Sequence, residues 1–389
     1  MMDFELSPEQ DELRRAVRGV AGRYPDEYWR RCDESGTFPW EFYRAMAGAG
    51  WVGVAIPEEY GGGGAGITEA ALVLEEVASS GAAMNGCSAI HLTIFGLNPV
   101  VRHGSEDLRA RVLPPAVRGE LHVAFSVTEP DAGSDTTAIT TRARRSGDGY
   151  VLQGRKVWTS KAQVADKILI LARTTPLEEC RRRTEGLSLF LADLDRDAVD
   201  VRPIPKMGRN AVDSNELAIE DLHVAAADRV GEEGRGFSYL LDGLNPERIL
   251  LAHESLGIGR AALRRATEYG GSRVVFGRPI GANQGLQFPL ADSLARLDAA
   301  ELLARKAAWL YDRGRPCARE ANSAKYLCAD AAFAAADRAV QVHGGFGYAR
   351  EYDVERYFRE ARLMRIAPVS QEMALNYLGE HVLGLPRSY

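Results

Sequence analysis

Residues 121–136 read Leu121-His122-Val123-Ala124-Phe125-Ser126-Val127-Thr128-Glu129-Pro130-Asp131-Ala132-Gly133-Ser134-Asp135-Thr136. Leu121, Val123, Phe125 and Val127 alternate with other residues, the period-2 pattern of a half-buried strand, and the chain then breaks into a loop dense in hydroxyls and glycine. Such a loop can aim main-chain N–H and side-chain O–H groups at a polar ligand, and it can equally be a decorated turn. These residues alone leave both readings open. Short runs follow, GYVLQGRKVW, KILILAR, LSLFLADL, VDVRPIP and ELAIEDLHV, parted by turn signals such as Gly147-Asp148-Gly149. Together they predict a small antiparallel, barrel-like β domain over residues 121–232. The adjacent arginines in its loop TTPLEECRRRTEG read as a solvated hairpin tip.

On both sides of this domain the period changes to that of helices. Ser7-Pro8-Glu9-Gln10 has the form of a capping box, with Leu13, Val17 and Val20 following at helical spacing. A second helix is expected from Thr68 to Ala78, after the glycine-rich break IPEEYGGGGAG (Ile56 to Gly66). Beyond GEEGRGF (Gly231 to Phe237) helical patterns persist, including an alanine-rich segment from Cys317 to Val342 that stops at Gly344-Gly345. The prediction is an α+β chain: an N-terminal α-helical domain (1–120), the middle β domain (121–232) and a C-terminal four-helix bundle (233–389).

The 389 residues suffice for two or three domains, and the apolar and charged fractions, 46% and 26%, are those of an ordinary globular protein. A formal charge of −6 with scattered basic residues argues against a nucleic-acid partner. Cys32, Cys87, Cys180, Cys317 and Cys328 are far apart, which suits a reducing cytosol. The acidic start MMDFELSPEQ and the lack of a long uncharged apolar run predict a cytoplasmic protein with no membrane contact.

Several motifs are set aside. Gly257-Ile258-Gly259-Arg260-Ala261-Ala262 matches a dinucleotide fingerprint, but it lies inside a predicted helix, where close packing through small residues is the better reading. No histidine pair has ligand-like spacing, so no metal site is expected, and no GxSxG elbow is present. The stretch Leu244-Asn245-Pro246-Glu247-Arg248-Ile249-Leu250-Leu251-Ala252 is more pointed. Asn245 suits an N-cap and Pro246 the first helical position, which places Glu247 in the first turn. There it can simply complement the helix dipole, worth ~0.3–1 kcal/mol at an exposed site, or face a pocket as a base. A last segment, Gln341-Val342-His343-Gly344-Gly345-Phe346-Gly347-Tyr348, leads to Glu351 and Arg356, an acid and a base suited to fixing a loop.

The 127–136 and 341–360 segments resemble the two signatures of the acyl-CoA dehydrogenase family, as do GWVGVAIPEEYGG, KVWTS, RVVFGRPIGANQ and VERYFREARL elsewhere in the chain. The first signature departs at Ser126, where the family usually has Ala, Cys or Gly. The resemblance implies a homotetramer, with a dimer as the alternative, and one FAD per subunit. It assigns Phe125, Val127 and Thr128 to the strand along the flavin, Ser134 to a serine shared by flavin and substrate, and Trp158 and Ser160 to the flavin's other side. Arg273, Phe276 and Gln284 resemble the group reaching a neighbouring subunit's FAD, Gln341, Gly344 and Gly345 the loop clasping it, and Ser370 and Glu372 two late FAD contacts.

Proline at position 368 stands where many members carry the catalytic glutamate. A branch including isovaleryl-CoA and long-chain acyl-CoA dehydrogenases instead opens a bundle helix with Glu-Arg, and Glu247 matches that base. The resemblance therefore implies α,β-desaturation of an acyl-CoA or acyl-carrier-protein thioester, with Glu247 abstracting the α-proton and FAD N5 taking the β-hydride. Electrons would pass to an electron-transferring flavoprotein. Arg248 is expected to turn toward the substrate's carrier moiety or a structural carboxylate. Because Pro368 has no N–H, a substitute donor for the thioester oxygen is expected. The alternative is a flavin-dependent monooxygenase of the same fold, which has no need of a base at Glu247.

Overall fold

The computed structural model describes residues 5–388; Met1 to Phe4 of the acidic start, and Tyr389, lie outside the described residues. Helix α1 (Pro8–Ala21) opens on the expected capping box: Gln10 N–H donates to Ser7 Oγ at 3.2 Å and Ser7 N–H to Gln10 Oε1 at 3.1 Å. It is followed by α2 (Asp26–Ser35), α3 (Trp40–Gly48), α4 (Ile67–Val77), α5 (Ala83–Ile94), α6 (Asn98–His103) and α7 (Glu106–Val117). The apolar residues of α4 and α5 are buried almost throughout, so these two helices form the inner layer of the N-terminal part.

The middle strands are β1 (Val123–Ser126), β2 (Arg142–Ser146), β3 (Gly149–Ser160), β4 (Lys167–Arg173), β5 (Leu187–Asp193), β6 (Val199–Pro203), β7 (Ser214–Ala225) and β8 (Arg229–Val230). They form one sheet in the order β6-β7-β3-β1-β4-β5-β8, with β2 pairing both β3 and β4. Pairing is antiparallel except that β1 and β2 each run parallel to β4. Ser126 lies opposite Ile170 and Arg142 opposite Arg173, so β1 and β2 occupy one slot in succession. Residues 127–141 are an excursion out of that slot, and the loop singled out in the sequence is the part the sheet extrudes.

Helix α8 (Gly236–Asp242) leads directly into α9 (Leu244–Ser272). A small hairpin, β9 (Val274–Val275) and β10 (Arg278–Pro279), then precedes α10 (Gln284–Asp312), α11 (Ala318–His343), α12 (Val354–Met364) and α13 (Gln371–Tyr377). Helix α9 packs on α10, α11 and α12 and reaches α4 of the N-terminal part, giving the bundle its axis. Its start differs from expectation. Gly243 has helical dihedrals (φ −84°, ψ −11°), so α9 continues from α8 without an extended cap, and Asn245 and Pro246 fall inside it. Glu247 keeps its first-turn place, its N–H donating to Gly243 O at 3.1 Å. Among the described residues no helix is long and apolar enough to cross a membrane.

The dinucleotide-like Gly257-x-Gly259 lies in mid-α9 and serves packing. A Cβ on Gly257 would lie 2.5 Å from both Ala78 Cβ and Glu75 O, and one on Gly259 would lie 3.0 Å from Ala332 Cα. Alanine gains about 1 kcal/mol of helix propensity over glycine. The backbone oxygen of Glu75 cannot yield 1 Å, so overpacking wins. Gly257→Ala is expected to destabilise the fold by ~1–3 kcal/mol, read as a lower Tm by calorimetry, without changing any dinucleotide affinity.

Candidate active site

The extruded loop is closed at its neck by a buried ion pair. Glu129 is 5% exposed, and its carboxylate accepts from Thr140 N–H (2.7 Å), Thr141 N–H (2.8 Å) and Lys156 Nζ (3.0 Å). The same ammonium donates to Val127 O at 2.8 Å. Burial pulls the Lys156 ammonium down to about 8; burial also pulls Glu129 up, but the Lys156 charge and the hydrogen bonds from Thr140 and Thr141 outweigh it and leave that carboxyl below its ordinary value. This pair fixes where Val127 and Thr128 leave the sheet. Ser134 is exposed at the loop's far end. The arginine loop is exposed as expected, yet it is more than a solvated tip, because Arg183 donates to Asp135 Oδ2 at 2.6 Å. Ser126 is absorbed by a hydroxyl pair with Thr159 Oγ1 at 2.9 Å.

Opposite β1, strand β3 breaks register with β7 between Lys156 and Thr159. The irregularity holds Trp158 at φ +61° with its side chain 57% exposed, a large aromatic kept out of the core by backbone that side chains rarely adopt. Phe125 pairs with Ser160 across the ladder. Behind Ser160 lies Arg209, partly buried, whose guanidinium donates to three hydroxyls: Ser160 Oγ at 3.1 Å, Ser214 Oγ at 2.5 Å and Ser88 Oγ at 3.4 Å. Burial pushes its pKa down. Next to it Lys161, also buried, donates to Ala89 O at 3.4 Å and is pushed down to about 7 by burial.

One turn along α5 from Ser88 and Ala89 stands His91, the residue that joins the sheet side to the bundle side. Its Nε2 is 2.9 Å from Glu247 Oε2 and its Nδ1 is 2.8 Å from Glu254 Oε1. Burial lowers the imidazole pKa, but the two carboxylates outweigh it and carry it well above the ordinary value. Glu247 retains 24% side-chain exposure and Glu254 none. Of the two destinations expected for Arg248, a structural carboxylate is not met among the described residues. Arg248 is partly buried, its Nη1 donates to Asn245 Oδ1 at 3.2 Å, its Nε has no partner among the described residues, and burial lowers its pKa. Lys325 of α11 is pushed down to about 8 by burial and the neighbouring Arg248 charge.

The remaining predicted residues lie elsewhere. Arg273, Phe276 and Gln284 are exposed around the β9–β10 hairpin, with Phe276 at its tip fully exposed at φ +53°. The Arg273 guanidinium lies 5.9 Å from the Phe346 ring centre, so this hairpin and the Gln341–Gly345 turn form one surface. A Cβ on Gly344 or Gly345 would meet nothing within 4 Å, so nothing inside this chain requires a bare backbone there beyond φ +59° at Gly344. Arg356 is buried and pairs with Asp353 and Asp26, while Glu351 contributes its backbone carbonyl to Arg30, so each ties this turn down through partners of its own. Ser370 caps α13 by accepting from Met373 N–H at 3.3 Å, with Glu372 in the first turn.

Sequence reading missed His91, Glu254, Arg209, Glu129 and Lys156. A signal existed for Glu254: seven residues after Glu247, it shares that residue's face of α9. Histidines that looked isolated are paired through tertiary structure, His253 with Glu75 at 2.7 Å and His103 with Asp242 at 3.0 Å. Among the described residues no three His, Cys, Asp or Glu side chains are grouped to hold a metal.

Three family models match successive parts of the chain: acyl-CoA dehydrogenase N-terminal domain over residues 7–120, middle domain over 124–222 and C-terminal domain over 234–383. The chain belongs to the acyl-CoA dehydrogenase family. Acyl-CoA dehydrogenase FadE12 of Mycobacterium tuberculosis is 40% identical across 99% of both chains. The glutaryl-coenzyme A dehydrogenase structure in complex with glutaryl-CoA matches with a TM-score of 0.94 at 31% identity, over 100% of this chain and 98% of that one. The FAD complex of PigA matches with a TM-score of 0.92 at 26% identity, over 99% and 100%. This acyl-CoA dehydrogenase is thus an oxidoreductase, and a flavin dinucleotide fits what its fold leaves open: the outward Trp158 beside the β1 edge, and the unobstructed Gly344-Gly345 turn.

Removing the Glu129 carboxylate strands the Lys156 ammonium. Glu129→Ala is expected to cost ~3–5 kcal/mol, measured by denaturant unfolding. Adding Lys156→Met recovers only part, because the Thr140 and Thr141 amides stay unpaired.

Proposed function

We propose that this chain is an FAD-dependent dehydrogenase that introduces an α,β double bond into an acyl thioester, with Glu247 as the base that takes the α-proton. The observation that carries the reading is Glu247 itself: a partly exposed carboxylate in the first turn of α9, gripped at Oε2 by His91 so that Oε1 is left for substrate. Pro368 carries no carboxylate and no N–H, so Glu247 is the acid residue left for the role. FAD, when bound, supplies the two-electron acceptor for the hydride leaving the β-carbon.

The chain's own residues divide the work as follows. Phe125, Val127 and Thr128, held by the Glu129–Lys156 pair, and Trp158 with Ser160 bound the flavin site from two strands. Ser134 and Arg248 serve the substrate, Arg248 through a partly buried guanidinium whose Nε has no hydrogen-bond partner among the described residues. Arg273, Phe276, Gln284, Gln341, Gly344 and Gly345 reach the FAD of a neighbouring copy, with Ser370 and Glu372 as late contacts. The fully exposed Phe276 beside exposed Val274 and Val275 supports assembly, here as a homotetramer. The thioester oxygen needs a donor, which we assign to the Val369 N–H next to Pro368 together with the flavin side chain. A CoA or acyl-carrier-protein thioester is the substrate, and an electron-transferring flavoprotein is the acceptor.

Anaerobic addition of short, branched and long acyl-CoAs to the flavin-loaded protein tests this directly. One class is expected to bleach the flavin absorbance, and adding an electron-transferring flavoprotein should restore it. Glu247→Gln should keep FAD bound and slow bleaching by ~10²–10⁴-fold. Bleaching at the native rate in that variant overturns the assignment of the base. For the assembly, Phe276→Ser is expected to lower the oligomer mass by light scattering and to loosen FAD in parallel.

A further inference from the structure

His91 lies where the proposed base meets the interior, and both of its ring nitrogens face a carboxylate oxygen at hydrogen-bond distance, 2.9 Å to Glu247 and 2.8 Å to Glu254. A neutral imidazole has one N–H and one bare lone pair, so it satisfies one of these contacts and turns a lone pair toward the other carboxylate. Both contacts are hydrogen bonds only when the trio carries one extra proton, and the imidazolium between two carboxylates is the form that leaves Glu247 free to act as a base. Glu254 is wholly buried, and its Oε2 has no partner among the described residues, so His91 is the group placed to offset a negative charge there.

We propose that His91 is a positioning residue for the proposed base, held as a cation by Glu254, and that it fixes Glu247 through Oε2 so that Oε1 accepts the α-proton. This inference rests on the reading of Glu247 as the base. In the step, the substrate's α C–H bond breaks and an O–H bond forms at Glu247 Oε1, while His91 keeps both of its protons. The trio passes from a net charge of −1 to neutral, so the buried site never holds two uncompensated carboxylates.

Other groups bear on the trio from every side. Cys87 of α5 lies near Glu254 and Glu360, and burial keeps it a thiol well above its usual pKa. The Arg209 guanidinium, on the segment leading into β7, acts on Glu254 and Glu360 from the sheet side. Lys161 touches α5 through Ala89 O. Of these groups only Glu247 and Glu254 hydrogen-bond the imidazole, so His91 senses Arg209 and Lys161 at longer range.

The test is the rate of anaerobic flavin reduction against pH, with acyl-CoA binding measured in parallel, for the native protein, His91→Gln, Glu254→Gln and Glu247→Gln. His91→Gln removes the cation and is expected to move the acid limb of the profile up by ~1–3 pH units. Glu254→Gln leaves Glu247 as the remaining carboxylate partner of His91, which stays protonated on the acid side of the profile, and the loss of the second negative charge is expected to move that limb down. Acyl-CoA affinity should change less than about threefold in both, since neither side chain is assigned to the substrate. Profiles that fall evenly at all pH values, or limbs that stay put or move in the same direction, overturn the proposal. Should His91→Gln fail to hold FAD, the downward shift in Glu254→Gln decides alone. Fast reduction in Glu247→Gln instead removes the base reading on which the proposal stands.

Discussion

The ion pair between Lys156 and Glu129 is the constraint on which the sheet half of the site depends. A charged pair out of water gains stability only when geometry and extra hydrogen bonds offset desolvation. Here the carboxylate takes two loop amides and the ammonium takes a backbone carbonyl. The same contacts decide where residues 127–141 leave the slot shared by β1 and β2 and where they return. Without them the loop would have no fixed neck, and Val127 and Thr128 no fixed direction. Stability and site geometry are one interaction in this part of the molecule.

A second constraint runs through α5, a helix with almost no exposed surface. Its successive turns touch Arg209 and Lys161 behind Ser160, then Glu247 and Glu254 of α9. The proposed flavin side and the proposed base thus share one rigid reference, as a hydride and a proton leaving adjacent carbons require. The basic groups on this path face polar partners: Arg209 hydroxyls, Lys161 a carbonyl and His91 two carboxyls. Their burial keeps the local field fixed, which is what a site that moves charge needs.

Much of the architecture was legible because periodicity records burial. The change from period 3.6 to period 2 near residue 121 marked the sheet, and the capping box at Ser7 marked the first helix. The mid-helix position of Gly257 and Gly259 already argued for packing over nucleotide binding. Capping at α9 was not legible, because α8 supplies the helical lead-in that an Asn245 cap would otherwise provide. Partner choice was equally hidden: Arg356 meets Asp353 and Asp26, which no local pattern singled out.

The sequence by itself determined the order of helical and sheet regions, the place of Glu247 and the glycine turn, because local chemistry and spacing carry that information, while Trp158 became a candidate only through the family resemblance. It placed Glu247 in a first turn and left two readings for it. Only the tertiary structure brought His91 from α5 between Glu247 and Glu254 of α9, and Lys156 of β3 to Glu129 of the extruded loop. The physical reason is that a buried charge is specified by what surrounds it. Those surroundings come from segments more than a hundred residues away in one case and from the far side of a loop in the other, which no local pattern can encode.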